Sequence, residues 1–298
     1  PPLRDFRGMN LAAPAPAPQA LRAGLWMLGA VASFSSMAVA GRAVSFELDT
    51  FEIMMYRSIV GFVLVLGVAR LTGQIDTITT RSPRTHIIRN LCHFTGQNLW
   101  FYAITVIPLA QVFALEFTAP LWVLVLGERL TGTRALAAVI GFAGILIVAR
   151  PSPETLNMGT IAAAAAAIGF AGSILMTKRL TRTETLTCIL FWMTLLQIGL
   201  GLSCAGYDGD IALPSLTSAP WLVLIGCAGL LAHFCLTTAL SLAPATLVTP
   251  VDFLRLPVIA IIGILVYAEP VDAFVIVGAI VIFGANYLNL WRETRKSA

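Results

Sequence analysis

Two side chains of opposite charge lie three residues apart in the run PATLVTPVDFLRLP, residues 244–257. They are Asp252 and Arg255. In a helix this spacing places both groups on one face, where they can form an ion pair. The surrounding run is apolar, as in a membrane span, and a charged side chain at the centre of a bilayer costs about 2.5–3.5 kcal/mol on insertion scales. Such a costly pair predicts a functional site inside the membrane.

A second acid occupies the equivalent position earlier in the chain. Glu116 follows Pro108 by eight residues, as Asp252 follows Pro244, and the offset is the same for both (244 − 108 = 252 − 116 = 136). Two equivalent acids near mid-depth favour a water-lined cavity or ion path, in which they could exchange protons with a substrate. The alternative is that a neighbouring side chain holds each carboxylate for structural reasons alone.

The composition is typical of a membrane protein that crosses the bilayer many times. Of the 298 residues, 58% are hydrophobic and 11% are charged, whereas soluble proteins carry about 25% charged residues. Windows of about 19 residues predict ten spans. They lie at roughly 22–44, 50–70, 86–106, 108–127, 133–149, 158–177, 185–205, 218–240, 245–267 and 271–291. The fold class is therefore predicted to be an all-α membrane protein.

The basic residues lie mostly on one side of this topology. On that side are Arg4, Arg7, Arg22, Arg70, Arg81, Arg84, Arg89, Arg129, Arg134, Lys178, Arg179, Arg182, Arg292, Arg295 and Lys296. The loops of the other side carry Arg42 and Arg150. Because positive loops stay in the cytoplasm and an even number of spans returns the chain to its starting side, both termini are predicted to be cytoplasmic.

The two halves of the chain repeat, and each half contains five spans. We predict a first repeat at 22–150 and a second at 157–291, with a disordered cytoplasmic tail at 1–21 and a second cytoplasmic tail at 292–298. Because five is odd, the second half enters from the opposite side, which gives a 5+5 inverted repeat.

The sequence offset between the two repeats is not constant: it increases within the fourth span, between Glu116 and Glu128. Glu128 pairs with Glu269 at 141, five more than 136, so the first half is shorter there. The fourth helix is then either short and broken at Pro120, or lacks residues in this chain. Pro250 and Pro257 are predicted to interrupt the ninth span in the same way, which would free backbone carbonyls that need other partners.

The third span carries a polar stripe. His93, Gln97 and Trp100 fall at i, i+4 and i+7 on one helix face. We expect this stripe to line a substrate cavity. The plainer interpretation is that His93 and Gln97 form hydrogen bonds with neighbouring helices.

Three further residues, Trp192, His233 and Thr237, are candidates for the cavity, and Arg57 is a candidate for proton or charge coupling together with Glu116 and Asp252. Arg57 either snorkels outward or meets Glu116, and its repeat mate Trp192 (192 − 57 = 135) could stack on a planar substrate, as could Trp100, or simply pack in the core. His233 is the mate of Gln97 (233 − 97 = 136), and Thr237 lies one turn further on.

Several function classes are not supported. The sequence has no nucleotide-binding loop, no HExxH, no GxSxG and no metal-ligand cluster, so we expect no enzyme, cofactor or metal. The spread of basic residues over short loops argues against nucleic-acid binding. The predicted partners are a small-molecule substrate and membrane lipids, and the predicted state is a monomer or a weak homo-oligomer.

With its repeat, the run LGERLTGTRALAAVIGFAGILIVARP (126–151), and YAITVIP and ALSLAP before the fourth and ninth spans, the chain resembles the drug/metabolite transporter superfamily. It is most similar to the ten-helix EamA-type exporters, and the aromatic content of the third span suggests exporters of aromatic amino acids. The resemblance implies a carrier of the inner (cytoplasmic) membrane that exports aromatic or bulky apolar amino acids by alternating access.

Two alternatives stay open at the level of the sequence. A nucleotide-sugar carrier of the same superfamily would need more basic residues in the cavity than Arg57 and Arg255. A membrane-embedded enzyme or a lipid-handling protein would use Glu116, Asp252 and His93 together.

Overall fold

The computed structural model describes residues 17–127, 132–150, 157–207, 209–243, 248, 251–270 and 272–297, and its regular elements there are helices. They are α1 (Ala17–Val44), α2 (Thr50–Leu71), a 3-10 turn (Ile75–Thr77), α3 (Pro83–Val106), α4 (Leu109–Glu116), α5 (Ala119–Gly127), α6 (Gly132–Ala149), α7 (Met158–Leu180), α8 (Leu186–Ala205), α9 (Ala219–Leu242), α10 (Arg255–Tyr267) and α11 (Ala273–Ser297).

The lengths of these helices fit a protein that crosses a membrane ten times. Within the described ranges, six stretches are long and apolar enough to span, with α4 and α5 counted as the single stretch Leu109–Gly127. Shorter apolar helices lie within α6, α10 and α11, and α3 is the tenth, longer but more polar crossing. The predicted all-helical membrane fold is confirmed.

The first helix begins earlier than the sequence suggests. It starts at Ala17, so residues 17–21 are helical and the prediction of a disordered tail is wrong for them. Residues 1–16 of the predicted tail lie outside the described residues. At the other terminus, α11 continues to Ser297 and includes most of the predicted tail at 292–298.

Helix packing follows the inverted repeat. If spans one to five are exchanged with spans six to ten, the packing of α1 on α9 becomes the packing of α7 on α3, and both contacts are present. The pairs α2–α8 and α6–α11 each map onto themselves. At the level of whole spans so does the contact of the fourth span with the ninth, which α4 and α10 make. This pattern is expected for two halves of opposite orientation, and it confirms the 5+5 inverted repeat.

The fourth and ninth spans are both broken, one turn before the prolines that the sequence analysis singled out. The first break is at Phe117–Thr118 and the second at Phe253–Leu254. Pro120 and Pro257 lie in the first turns of α5 and α10, so both predicted interruptions are present but fall about one turn before the prolines. A proline is tolerated there because the first amide groups of a helix have no intrahelical acceptor. Pro250 lies outside the described residues.

The free backbone carbonyl at the first break has a hydrogen-bond partner on another helix. The side-chain amide of Asn286 on α11 donates to the carbonyl of Phe117 at 2.9 Å. Since both groups are buried, this bond satisfies an acceptor that lipid could not reach. Thus α11 supports the break in α4–α5.

Helices α3 and α7 approach closely because both have glycine at their contact. A Cβ atom added to Gly169 would lie 2.8 Å from the Cα of Gly96 and 2.9 Å from the carbonyl oxygen of Cys92. Backbone atoms cannot move aside as a flexible side chain can, so only a residue without a Cβ fits.

We therefore expect Gly169→Ala to lower the midpoint of thermal unfolding in detergent, since overpacking costs about 1–3 kcal/mol. Gly199→Ala on α8 is the matched control, because its Cβ would meet nothing within 4 Å. It should keep or slightly raise the midpoint, as alanine favours helix by up to about 1 kcal/mol. Equal midpoints for the two variants would contradict the close contact.

Candidate functional site

The two equivalent acids meet on one arginine at the centre of the bundle. The Nη1 of Arg255 donates to Glu116 Oε1 at 3.1 Å, and its Nη2 donates to Asp252 Oδ2 at 3.0 Å. The indole of Trp100 donates to the other oxygen of Glu116 at 2.8 Å. We call Trp100, Glu116, Asp252 and Arg255 the Arg255 centre, and it joins α3 and α4 of the first repeat to the ninth span of the second.

The repeat explains why one cation serves two acids. Glu116 ends α4, and Asp252 ends the helical turn before the second break. The repeat mate of Arg255 is Ala119 (255 − 119 = 136), so the second guanidinium that symmetry would supply is missing. Two carboxylates and one guanidinium leave the centre with a formal charge of −1.

Aromatic rings surround the guanidinium. Its central carbon lies 4.5 Å from the ring centroid of Phe34 and 4.7 Å from that of Phe117. Phe117 stacks on its repeat mate Phe253 (253 − 117 = 136), with centroids 4.2 Å apart and an interplanar angle of 15°. These contacts replace part of the hydration that Arg255 loses on burial.

A second charged group lies away from the Arg255 centre. Arg57 meets neither Glu116 nor the aqueous surface: it is 8% exposed and borders a pocket between α2, α8 and α9. His233 lines the same pocket, and its ring makes an edge contact with Phe34 at 5.8 Å. Phe34 thus lies between this pocket and the Arg255 centre.

The polar stripe of α3 is buried. His93 and Gln97 are 7% and 4% exposed, and one ring nitrogen of His93 and the amide nitrogen of Gln97 have no hydrogen-bond partner among the described residues. His93 packs on Phe170 of α7 with ring centroids 6.0 Å apart. Of the stripe, only Trp100 joins the Arg255 centre.

Arg89 is the basic residue that sequence reasoning misplaced. The loop pattern put it at the membrane surface, but it is 5% exposed and its Nε donates to the hydroxyl of Thr177 on α7 at 2.8 Å. It interacts electrostatically with both His93 and His233. Among the described residues, Arg57, Arg89 and Arg255 are therefore the buried arginines. The available sequence signal for Arg89 was its position one helical turn before His93.

Two predicted cavity residues lie apart from both groups. Trp192 is near the end of the bundle that carries most of the basic residues, where its indole donates to the carbonyl of Thr79 at 2.8 Å. Thr237 is exposed, and its hydroxyl donates to the carbonyl of His233 in its own helix at 2.7 Å. Neither contacts the Arg255 centre or lines the pocket beside Arg57.

A buried cluster of metal-ligand types lies beside Trp192. His86, Glu184 and Cys188 bring one ligand atom each within 4.8 Å of one another, a set that Zn²⁺ accepts. Sequence reasoning missed it because His86 is far from the other two in the chain. Burial acts to raise the pKa of Glu184, but hydrogen bonds from Thr79 and Cys188 help to hold that pKa below its usual value.

An ion pair closes the opposite end of the bundle. Arg42 at the end of α1 pairs with Glu269 in the α10–α11 loop, and its Nη2 also donates to the carbonyl of Ile107 at 2.9 Å. Glu269 in turn accepts from the backbone N–H of Leu109 at 3.0 Å, which caps α4. We call this the Arg42–Glu269 latch. Its repeat counterpart Glu128 lies outside the described residues.

Named transporters from other bacteria match most of the chain. The S-adenosylmethionine uptake transporter of Rickettsia bellii is 26% identical over 91% of this chain and 94% of its own length. The riboflavin transporter of Brucella anthropi is 32% identical over 72% of this chain and 80% of its own length. These relatives are named for S-adenosylmethionine and riboflavin, not for aromatic amino acids.

The fold is shared with a solved structure. A chain of known crystal structure superposes with a TM-score of 0.60 at 18% identity, and the match covers 93% of this chain and 99% of that one. A sequence profile of the EamA-like transporter family matches residues 21–150 and 157–291. The protein is a small-molecule transporter that crosses the membrane several times, and it belongs to the EamA-like transporter family.

Proposed function

We propose that this protein carries its cargo by alternating access, with the two repeats rocking about the Arg255 centre. The observation that carries the proposal is that one guanidinium binds the equivalent acids of both halves, each at the break of a discontinuous span. Sites of this kind lie at the interface of inverted repeats in secondary transporters. The predicted cavity residues Trp100, Glu116, Asp252 and Arg255 form that interface.

The proposed cargo is a small metabolite with a planar ring and a polar tail. S-adenosylmethionine and riboflavin, after which the relatives are named, both have this chemistry, and so do the aromatic amino acids expected from the sequence. Phe34, half-buried between the Arg57 pocket and the Arg255 centre, offers an aromatic ring for stacking. Export of an aromatic amino acid is retained as one form of this proposal.

A charged cargo group would act directly on the Arg255 centre. Because the centre carries one more carboxylate than guanidinium, a cationic group on the cargo can compete with Arg255 for Glu116 or Asp252. Releasing the bond between Arg255 and Glu116, which joins the two repeats, would uncouple them and permit rocking. This step gives the carboxylates a role in transport without a cofactor.

The Arg42–Glu269 latch is the proposed gate at the opposite end. We place the end with most basic residues in the cytoplasm, as the loop charges favour, so the latch lies at the outer face. Opening to that face requires the Arg42–Glu269 pair and the cap on Leu109 to separate. The inner membrane of a bacterium, with both termini inside, fits this orientation.

Flux through reconstituted protein tests the proposal. Proteoliposomes are loaded with S-adenosylmethionine, riboflavin or L-phenylalanine in turn, and counterflow of the same labelled compound is measured in both directions. We expect saturable counterflow for at least one of the three. Uptake that is linear with concentration for all three compounds, at the level of empty liposomes, would overturn it.

The two acids should control charge recognition. Glu116→Gln and Asp252→Asn each leave one carboxylate for Arg255, so we expect the flux of a cationic cargo such as S-adenosylmethionine to fall about 10-fold or more, as a charged hydrogen bond contributes about 1.5–3 kcal/mol. The pH dependence of flux should change as well.

The control for this experiment is Asp76→Asn, which removes an exposed carboxylate from the 3-10 turn. It should leave flux and its pH profile unchanged. Wild-type pH profiles and rates in both Glu116→Gln and Asp252→Asn, at normal expression, would remove the acids from the mechanism.

Breaking the latch should open the outer face. In a background without native cysteines, Ile107→Cys introduces a thiol at a buried site (4% exposed) beside Arg42. We expect Glu269→Ala to speed maleimide labelling of this thiol several-fold in purified protein. Asp76→Ala removes an exposed carboxylate from the 3-10 turn between α2 and α3 and serves as the control; equal labelling rates in the two variants would show that the latch is no gate.

A further inference from the structure

Arg57 is a buried cation without a counter-charge. Its side chain makes no hydrogen bond or ion pair with any described residue, and its Nη1 atom is fully enclosed by protein. An unpaired charge in a membrane interior is costly, and residues of this kind mark ligand or ion paths. The two other interior arginines differ, because Arg255 binds two carboxylates and Arg89 binds a hydroxyl.

The acids of the described chain do not compensate Arg57. Glu116 and Asp252 are held by Arg255. Glu52, on the same helix, is directed to the loop end, where it accepts from the backbone amides of Asp49 and Ala212. The charged groups that act on both His93 and His233 are Arg57 and Arg89, so this part of the interior is electropositive.

The pocket beside Arg57 offers donors. The amide nitrogen of Gln197, on a side chain 1% exposed, also has no partner among the described residues. Two glycines of α9 line the wall opposite α8, and a Cβ at Gly229 would lie 3.8 Å from Nη2 of Arg57. Unsatisfied N–H groups from a guanidinium and an amide suit a group that only accepts hydrogen bonds.

We propose that Arg57 and Gln197 bind an anionic oxygen group of the cargo, a carboxylate or a phosphate. This inference rests on the proposed transport function and adds to it a second point of attachment. It makes Arg57 a specificity-determining residue. It also bears on the nucleotide-sugar alternative, which needs more interior basic residues than Arg57 and Arg255, because buried Arg89 lies in the same electropositive region as Arg57.

The proposed anion site and the Arg255 centre together define an orientation for the cargo. His233 lines the pocket of Arg57 and contacts Phe34, and Phe34 contacts Arg255. A cargo whose acid group binds Arg57 therefore directs its ring past His233 and Phe34 towards Glu116 and Asp252. The matching chemical class is a planar metabolite with an acid group at one end.

Three pairs of compounds test the site, because each pair shares a ring and differs by one anionic group. They are S-adenosylmethionine and its decarboxylated form, L-phenylalanine and 2-phenylethylamine, and riboflavin 5′-phosphate and riboflavin. Binding to purified full-length protein is measured by titration calorimetry, and counterflow is measured in proteoliposomes. We expect wild type to prefer the acid member of at least one pair by about 10-fold; the first two pairs report a carboxylate and the third a phosphate.

The variants assign this preference to Arg57. Arg57→Gln should abolish it by weakening only the acid member, and Arg57→Lys should restore part of it because the charge returns. Arg70→Gln removes an exposed arginine from the same helix and should keep the wild-type preference. Gln197→Leu should lower the preference less than Arg57→Gln does.

The outcomes separate this inference from the transport proposal. Saturable counterflow with equal affinity for both members of every pair, or a preference that survives in Arg57→Gln, would overturn the anion site and leave transport intact. If none of the six compounds binds or is carried by wild type, the transport proposal for this cargo class fails, and the anion site fails with it. If Arg57→Gln does not fold, Arg57→Lys and Gln197→Leu decide the point: a reduced preference in both supports the anion site, and the wild-type preference in both overturns it.

Discussion

The cost of holding charge inside a bilayer governs this structure. Arg255 is 5% exposed, and holding a guanidinium at that depth is energetically costly. The acids that compensate it come from different halves of the chain. The pair with Asp252 lies within one turn of the ninth span, whereas the pair with Glu116 can form only when the halves are assembled. The guanidinium of Arg255, which is costly to bury without a partner, thus becomes a specific link between the repeats. Removing one of its partners would leave an uncompensated buried charge.

The repeat places the two acids at equivalent positions, and the absence of a second arginine leaves the Arg255 centre with one carboxylate in excess. Glu116 and Asp252 follow from the duplicated pattern, but Arg255 is matched by Ala119. A second arginine there would neutralise both acids and leave no net charge for a cargo. The helix ends add to this effect, because both acids lie where a half-helix ends and the backbone dipole is negative, which favours a cation between them.

Much of the architecture could be predicted from the sequence, because hydropathy and loop charge act locally. The ten crossings, the inverted repeat and the pairing of Asp252 with Arg255 all follow from spacing. The breaks were placed one turn late, since proline is the visible signal but tolerates the first turn of a helix. The partner of the first break, Asn286, is distant in sequence and gives no local signal.

The candidate site was harder to predict than the fold. Local patterns could not show that Trp192 donates to a loop carbonyl, that Arg89 is buried against α7, or that Glu269 holds Arg42. Each of these contacts joins segments from different parts of the chain, and contacts of this kind depend on helix rotation as well as on helix position. Spacing within one helix fixes which residues share a face, but not which neighbour that face meets.

The stacked rings of Phe117 and Phe253 have a mechanical consequence. In an inverted repeat, the two end states of the carrier are related by swapping the roles of the halves, so any contact between a residue and its own counterpart occurs in both states. The phenyl pair, like the interfaces of α2 with α8 and α6 with α11, belongs to this invariant set and can serve as a fulcrum. The Arg42–Glu269 pair joins residues that are not counterparts, so the symmetry does not require it in both states, and under the proposed cycle it separates when the carrier turns over.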